Sequence, residues 1–108
     1  MAKAERDIQA AVRLALGSDP GLVLFRNSVG YDAGTRQKYG LCPGSTDLVG
    51  CCDGRFIGLE IKSERGRSSP EQVRWAELIR SKGGFVAVVR SVDEAVAAVA
   101  RCRAGGSE

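Results

Sequence analysis

The chain has 108 residues, a net charge of +3 and a composition 44% hydrophobic and 27% charged. These values describe one globular domain with a modest core, no apolar run long enough to span a membrane, and a slight basic excess compatible with nucleic acid. Histidine is absent, which excludes His-centred zinc sites, Ser-His and Cys-His nucleophile pairs, and a histidine base.

The four cysteines, Cys42, Cys51, Cys52 and Cys102, lack zinc-ligand spacing. They read as reduced and mostly buried small residues, with no disulfide or metal role. The first seven residues carry acids and no apolar signal region, which predicts a cytoplasmic protein.

In chain order, residues 5–16 predict an amphipathic helix. Ile8, Ala11, Val12, Ala15 and Leu16 fall on its inward face, Glu5 shares that stripe, and Gly17 ends it. Residues 22–26 read as a short apolar strand. Residues 27–40, rich in Gly and polar groups, read as a long loop. Its Arg36, Lys38, Tyr31 and Tyr39 suit phosphate contact and base stacking, or an ordinary surface loop. Residues 46–52 and 55–62 predict two strands joined by the hairpin signal Asp53-Gly54.

After a polar, basic connector at 63–68, Ser69-Pro70-Glu71-Gln72 opens a helix that runs to about Ser81. Ser69 is its cap and Gln72 stands at the capping-box position. Residues 85–90 form an apolar run with the pattern of a central or parallel strand. Ser91 caps a last helix with Ala95, Val96 and Val99 inward, and residues 103–108 read as a frayed tail. The order is α-β-β-β-α-β-α in a single domain.

The chemistry concentrates around the hairpin. Leu59 and Ile61 alternate with Glu60 and Lys62, so a strand puts the carboxylate and the ammonium on one face. Pairing outward from Asp53-Gly54 brings Asp47 opposite Glu60 at the open end of the hairpin. Two carboxylates there make a small hard-oxygen site for Mg²⁺ with a lysine beside it, the equipment for phosphodiester hydrolysis. Each residue also has a structural alternative. Asp47 could cap a turn, Glu60 and Lys62 could be a solvated ion pair, and Gln72 could serve only to cap its helix.

The element order, the acid on the second strand and the Glu-x-Lys on the third resemble the core of the PD-(D/E)xK nuclease superfamily. The closer similarity is to the virus-type replication-repair nuclease (VRR-NUC) domain, from Glu5 to about Val99. It rests on Glu5, Arg26-Asn27 with Gly30, the Pro43-to-Gly50 stretch, Glu60-Ile61-Lys62, Gly66-Arg67 with Ser69 and Gln72, and Gly83-Gly84. Thr46 rather than proline precedes Asp47; the proline lies further back, at Pro43.

The resemblance implies an α/β restriction-endonuclease-like fold with a mixed sheet flanked by helices. It implies a DNA endonuclease dependent on Mg²⁺ or Mn²⁺, with Glu5, Asp47, Glu60, Lys62 and Gln72 catalytic. Asp47, Glu60, Glu5 and the carbonyl of Ile61 would be the metal ligands. Arg26, Asn27, Arg36, Lys38, Arg65 and Arg67 would contact DNA by shape rather than sequence. Standalone members of this kind imply a homodimeric Holliday-junction resolvase of phage or prophage origin acting in a bacterial host. The alternatives are a flap or branched-DNA nuclease with the same chemistry, and a non-catalytic DNA-binding phage module that keeps the fold.

Overall fold

The computed structural model describes residues 4–106. Its elements are α1 (Glu5–Leu16), β1 (Leu22–Arg26), β2 (Gly30–Asp32), β3 (Gln37–Tyr39), β4 (Leu48–Cys52), β5 (Arg55–Ile61), α2 (Pro70–Ser81), β6 (Phe85–Val89) and α3 (Val92–Arg103). Four strands form one mixed sheet in the order β1-β4-β5-β6; β2 and β3 form a separate two-stranded ribbon. The β1–β4 and β4–β5 pairs are antiparallel, and β5–β6 is parallel, joined by the α2 crossover. The expected α/β class and element order are therefore observed, with one extra ribbon.

The hairpin turn explains the register. Asp53 and Gly54 both take positive φ (49° and 86°), the geometry of a two-residue type I′ turn that suits strand twist. Cys52 then faces Arg55, and the ladder runs outward to Leu48 opposite Leu59. Alternation sorts the faces. Leu48, Cys52, Ile57, Leu59, Ile61, Phe85, Ala87 and Val89 point to one side, where α1 and α3 bury them with Ile8, Val12, Leu16, Ala95, Ala98, Val99 and Cys102. The other face of β5 and β6 is covered by α2, whose Trp75 meets Phe56 edge to face at 6.1 Å between ring centroids.

Several expectations need correction. Residues 27–40 are not all loop, because β2 and β3 pair from Gly30 opposite Tyr39 to Asp32 opposite Gln37. Asp32 Oδ1 accepts from the N–H groups of Gly34 and Thr35 (2.9 and 3.3 Å), which closes the ribbon's turn. Three-residue strands with no buried face carry no hydrophobic period, so the sequence does not announce them. In α1 the buried stripe is Ile8, Val12 and Leu16; Glu5, which precedes it, and Ala15, beside it, are exposed. In α3 the inward residues are Ala95, Ala98, Val99 and Cys102, a 3–4 spacing that turns Val96 outward.

The apolar strand 85–89 is parallel as expected, but it lies at the sheet edge. Its apolar run reflects cover on both faces rather than a central place. Cys52 and Cys102 are buried, whereas Cys42 and Cys51 are exposed, and all four are free. The start of the expected tail is anchored. Gly105 takes φ 90°, Gly106 N–H donates to the Arg101 carbonyl at 2.9 Å, and Arg55 donates to the Gly106 carbonyl at 2.5 Å. Residues 107–108 lie outside the described residues. Among the described residues no helix is long and apolar enough to cross a membrane.

Candidate functional site

The open end of the β4–β5 hairpin is where the expected acids meet. Asp47 precedes β4 directly, and the register that sets Leu48 opposite Leu59 sets Asp47 beside Glu60. Each carboxylate is held by main chain belonging to the other strand. Asp47 Oδ2 accepts from the Ile61 N–H at 2.8 Å, and Glu60 Oε1 accepts from the Asp47 N–H at 3.2 Å. Glu60 is only 3% exposed, so the solvated ion-pair alternative is excluded for it.

Gln72 resolves its two competing roles by performing both. Its Oε1 accepts from the Ser69 N–H (2.9 Å) while Ser69 Oγ accepts from the Gln72 N–H (3.2 Å), a complete capping box. Its Nε2 then donates to Glu60 Oε2. The two ends of one amide thus tie the start of α2 to the buried acid.

Burial, the hydrogen bond with Asp47 and the negative charge of Asp47 push the Glu60 carboxyl from its ordinary 4.5 up to about 8; Lys62 and the Asp47 N–H pull the other way. Two acids this close cannot both be ionised cheaply in the absence of a cation. A divalent ion placed between them would displace the proton from Glu60 and remove the repulsion.

A polar cavity of about 460 Å³ opens in front of the pair. It is lined by Asp47, Glu60 and Gln72, by Arg26 and Asn27 at the end of β1, and by Gln9 of α1, Gly44 and Ser45. Tyr39 of β3 and the Ser28-Val29 segment line it too. A second cavity of about 480 Å³ lies between α1 and the start of α3, and Glu64, Arg90, Asp93 and Glu94 are among the residues that line it. A third, of about 100 Å³, lies behind Glu60 and is bounded by Arg80, whose buried Nε has no hydrogen-bond partner.

Asn27, expected as a DNA contact, holds the loop that presents Asp47. Its Nδ2 donates to Ser45 Oγ and to the Thr46 carbonyl (both 2.8 Å), and its Oδ1 accepts from the Leu41 N–H at 3.0 Å. Its own N–H donates to the Asp47 carbonyl at 2.7 Å. All its amide functions are engaged within the protein. On the far side the same loop packs on α2: Gly44 has φ 91°, and a Cβ there would lie 2.5 Å from the Glu71 carbonyl oxygen.

Glu5 does not join the acidic pair. It is exposed, and its Oε2 accepts from the Ser63 N–H at 3.4 Å, beside the connector that follows β5. Among the described residues no group of three His, Cys, Asp or Glu side chains gathers at one point, and Glu5 stands apart from Asp47 and Glu60. Lys62 continues β5 past Ile61, half-buried, with its N–H bonded to the Val89 carbonyl at 3.1 Å and its stem packed against Gly66. Arg90 pins this connector by donating to the carbonyls of Ser63 (2.6 Å) and Gly66 (2.8 Å). Arg65 and Arg67 project from it into solvent, as do Arg36 and Lys38 from the ribbon.

Gln9 and Ser45 were not singled out from sequence. Gln9 had one legible signal, since four residues after Glu5 it shares that face of α1. Ser45 had none, because its role depends on a partner eighteen residues away. No known protein family's profile matches the chain, and no curated protein matches it in sequence.

Proposed function

We propose that this chain is a metal-dependent DNA endonuclease of the VRR-NUC kind, with a PD-(D/E)xK core, that hydrolyses phosphodiester bonds in branched DNA. The observation that carries this reading is the pair Asp47–Glu60, held at the mouth of a polar cavity by backbone N–H groups and Gln72, with Lys62 next on the strand. Two carboxylates with free lone pairs beside an open cavity fit Mg²⁺ or Mn²⁺. Mg²⁺ is commonly held by one or two protein carboxylates and completes its shell with water and phosphate.

When bound, the ion would supply Lewis-acid polarisation of the phosphoryl group and an activated water near neutral pH. The protein's own groups do the rest. Asp47 and Glu60 hold the charge in place, with the carbonyl of Ile61 as a further oxygen donor. Gln72 fixes the orientation of Glu60. Lys62 offsets negative charge that develops on the phosphorane-like transition state. Arg26, Arg36, Lys38, Arg65 and Arg67 grip backbone phosphates, so affinity falls with salt.

The finer reading is a homodimeric resolvase of four-way junctions, of phage or prophage origin, working in a bacterial cytoplasm. Its homodimer is supported by the uncovered sheet face at the β1 edge, where Val23 and Phe25 stand 45% and 60% exposed with Cys51 alongside, an apolar surface that a second copy would cover. The test is incubation of the purified protein with a labelled four-way junction, a flap and a plain duplex, in Mg²⁺, Mn²⁺ or EDTA. Paired symmetric nicks in the junction, absent with EDTA, are expected. Cutting confined to the flap overturns the resolvase reading and keeps the chemistry. Metal-independent binding with no cutting of any substrate overturns the enzyme and leaves a DNA-binding module.

A further inference from the structure

We infer that Tyr39 and Arg26 form a subsite for one unpaired nucleotide beside the acidic pair, and that Tyr39 selects strands carrying such a nucleotide. The inference rests on the nuclease reading and names what that site accepts. Tyr39 stands opposite Gly30 in the ribbon, with its ring lying over the Gly30 Cα: a Cβ on Gly30 would come within 2.2 Å of the Tyr39 hydroxyl oxygen. This contact explains one face of the ring. The residue is nevertheless 51% exposed, and it lines the same 460 Å³ cavity as Asp47 and Glu60. Val29 lines this cavity as well. Arg26, exposed at the end of β1, lines the same cavity and supplies a cation for the adjoining phosphate.

A continuous duplex can bring only its phosphate edge to a cavity of this size; its bases remain stacked inside the helix. A nucleotide swung out of the stack can lay its π face on Tyr39 while its phosphate stays at the acids. Extrusion costs least where the base is already unpaired. Stacking on an aromatic side chain then adds affinity whatever the base identity. The selectivity arises from the difference between these two states and needs no base-edge hydrogen bond.

The experiment uses the whole protein with two labelled duplexes. One carries a single unpaired 2-aminopurine nucleotide at a nick-flanked position, and the other is fully paired. Binding is read by fluorescence anisotropy, and stacking by 2-aminopurine quenching, with Ca²⁺ as the divalent ion; nicking is read separately with Mg²⁺. The expected result is tighter binding of the unpaired substrate and quenching of its probe. Tyr39→Ala loses that preference by roughly 5- to 150-fold, and Tyr39→Phe keeps it. Gly30→Ala, which pushes the ring aside without removing it, weakens the preference in the same direction. Equal binding of both substrates, or a preference unchanged in Tyr39→Ala, overturns the subsite. If Mg²⁺ produces no nicks while the Tyr39-dependent preference persists, the nuclease reading fails and the subsite stands. If nicks form with the preference indifferent to Tyr39, the reverse holds.

Discussion

Glu60 makes the stability of the metal-free protein depend on pH in an unusual direction. Its folded value of about 8 lies above the 4.5 expected when unfolded, so the folded state keeps its proton where the unfolded chain has released it. The contribution is fully present below about pH 4.5 and is lost as pH rises toward 8. At 1.36 kcal/mol per pH unit the loss is on the order of 3–5 kcal/mol, a large part of the roughly 5–15 kcal/mol that holds a domain together. Urea unfolding in EDTA at pH 5.5, 7 and 8.5 measures it. Glu60→Gln imitates the protonated carboxyl, so this variant should exceed the parent by only about 1.4 kcal/mol at pH 5.5 and by several kcal/mol at pH 8.5. Burial pushes the Cys52 thiol up to about 11, so its own loss of stability begins only above pH 9 and stays outside this window. A parent protein equally stable at pH 5.5 and 8.5, or a Glu60→Gln variant with the same decline, would refute the reasoning.

The other expectations follow from the same contacts. Mn²⁺ at a hundred times its dissociation constant should raise stability by about 2.7 kcal/mol, measured by thermal unfolding at pH 8, and Asp47→Asn should lose the effect. Gln72→Glu keeps a competent capping-box partner for Ser69 but turns a third carboxylate toward Glu60; circular dichroism should show the helix retained while nicking falls at least tenfold. Asn27→Ala leaves the Leu41 N–H and the Thr46 carbonyl without their partner and should cost about 1–3 kcal/mol. Its DNA affinity should be unchanged when the protein is folded, since the side chain is engaged inward; anisotropy decides. Gly50→Ala would put a Cβ 1.7 Å from the Val23 carbonyl oxygen, forcing β1 from β4 and destabilising by more than about 2 kcal/mol in denaturant titration.

What the sequence made legible were features set by local rules. Asp53-Gly54 fixed the hairpin, and the hairpin fixed Asp47 beside Glu60 before any coordinates were needed. Ser69-Pro70-Glu71-Gln72 marked the start of α2 because each residue there satisfies a known need of a helix end. The illegible parts depend on distant partners. Glu60 is buried only because α2 folds back over it, which the alternation of Glu60 and Lys62 does not encode. Asn27 reads as a polar residue after a strand, and its clamp on Ser45 and Thr46 exists only once β1 pairs with β4. Glu5 shows the converse error: helical spacing placed it on the buried stripe, but the stripe is Ile8, Val12 and Leu16, and Glu5 precedes it.

The most direct measurement is the rate of metal-dependent nicking of a branched DNA by the parent protein against Asp47→Asn and Lys62→Ala, each first shown to be folded by circular dichroism. Nicking that requires Mg²⁺ or Mn²⁺ and falls at least a hundredfold in both variants, with DNA affinity little changed, is the predicted result. Nicking that persists in Asp47→Asn, or survives chelation of the metal, would contradict the assignment of the Asp47–Glu60 pair as the catalytic centre.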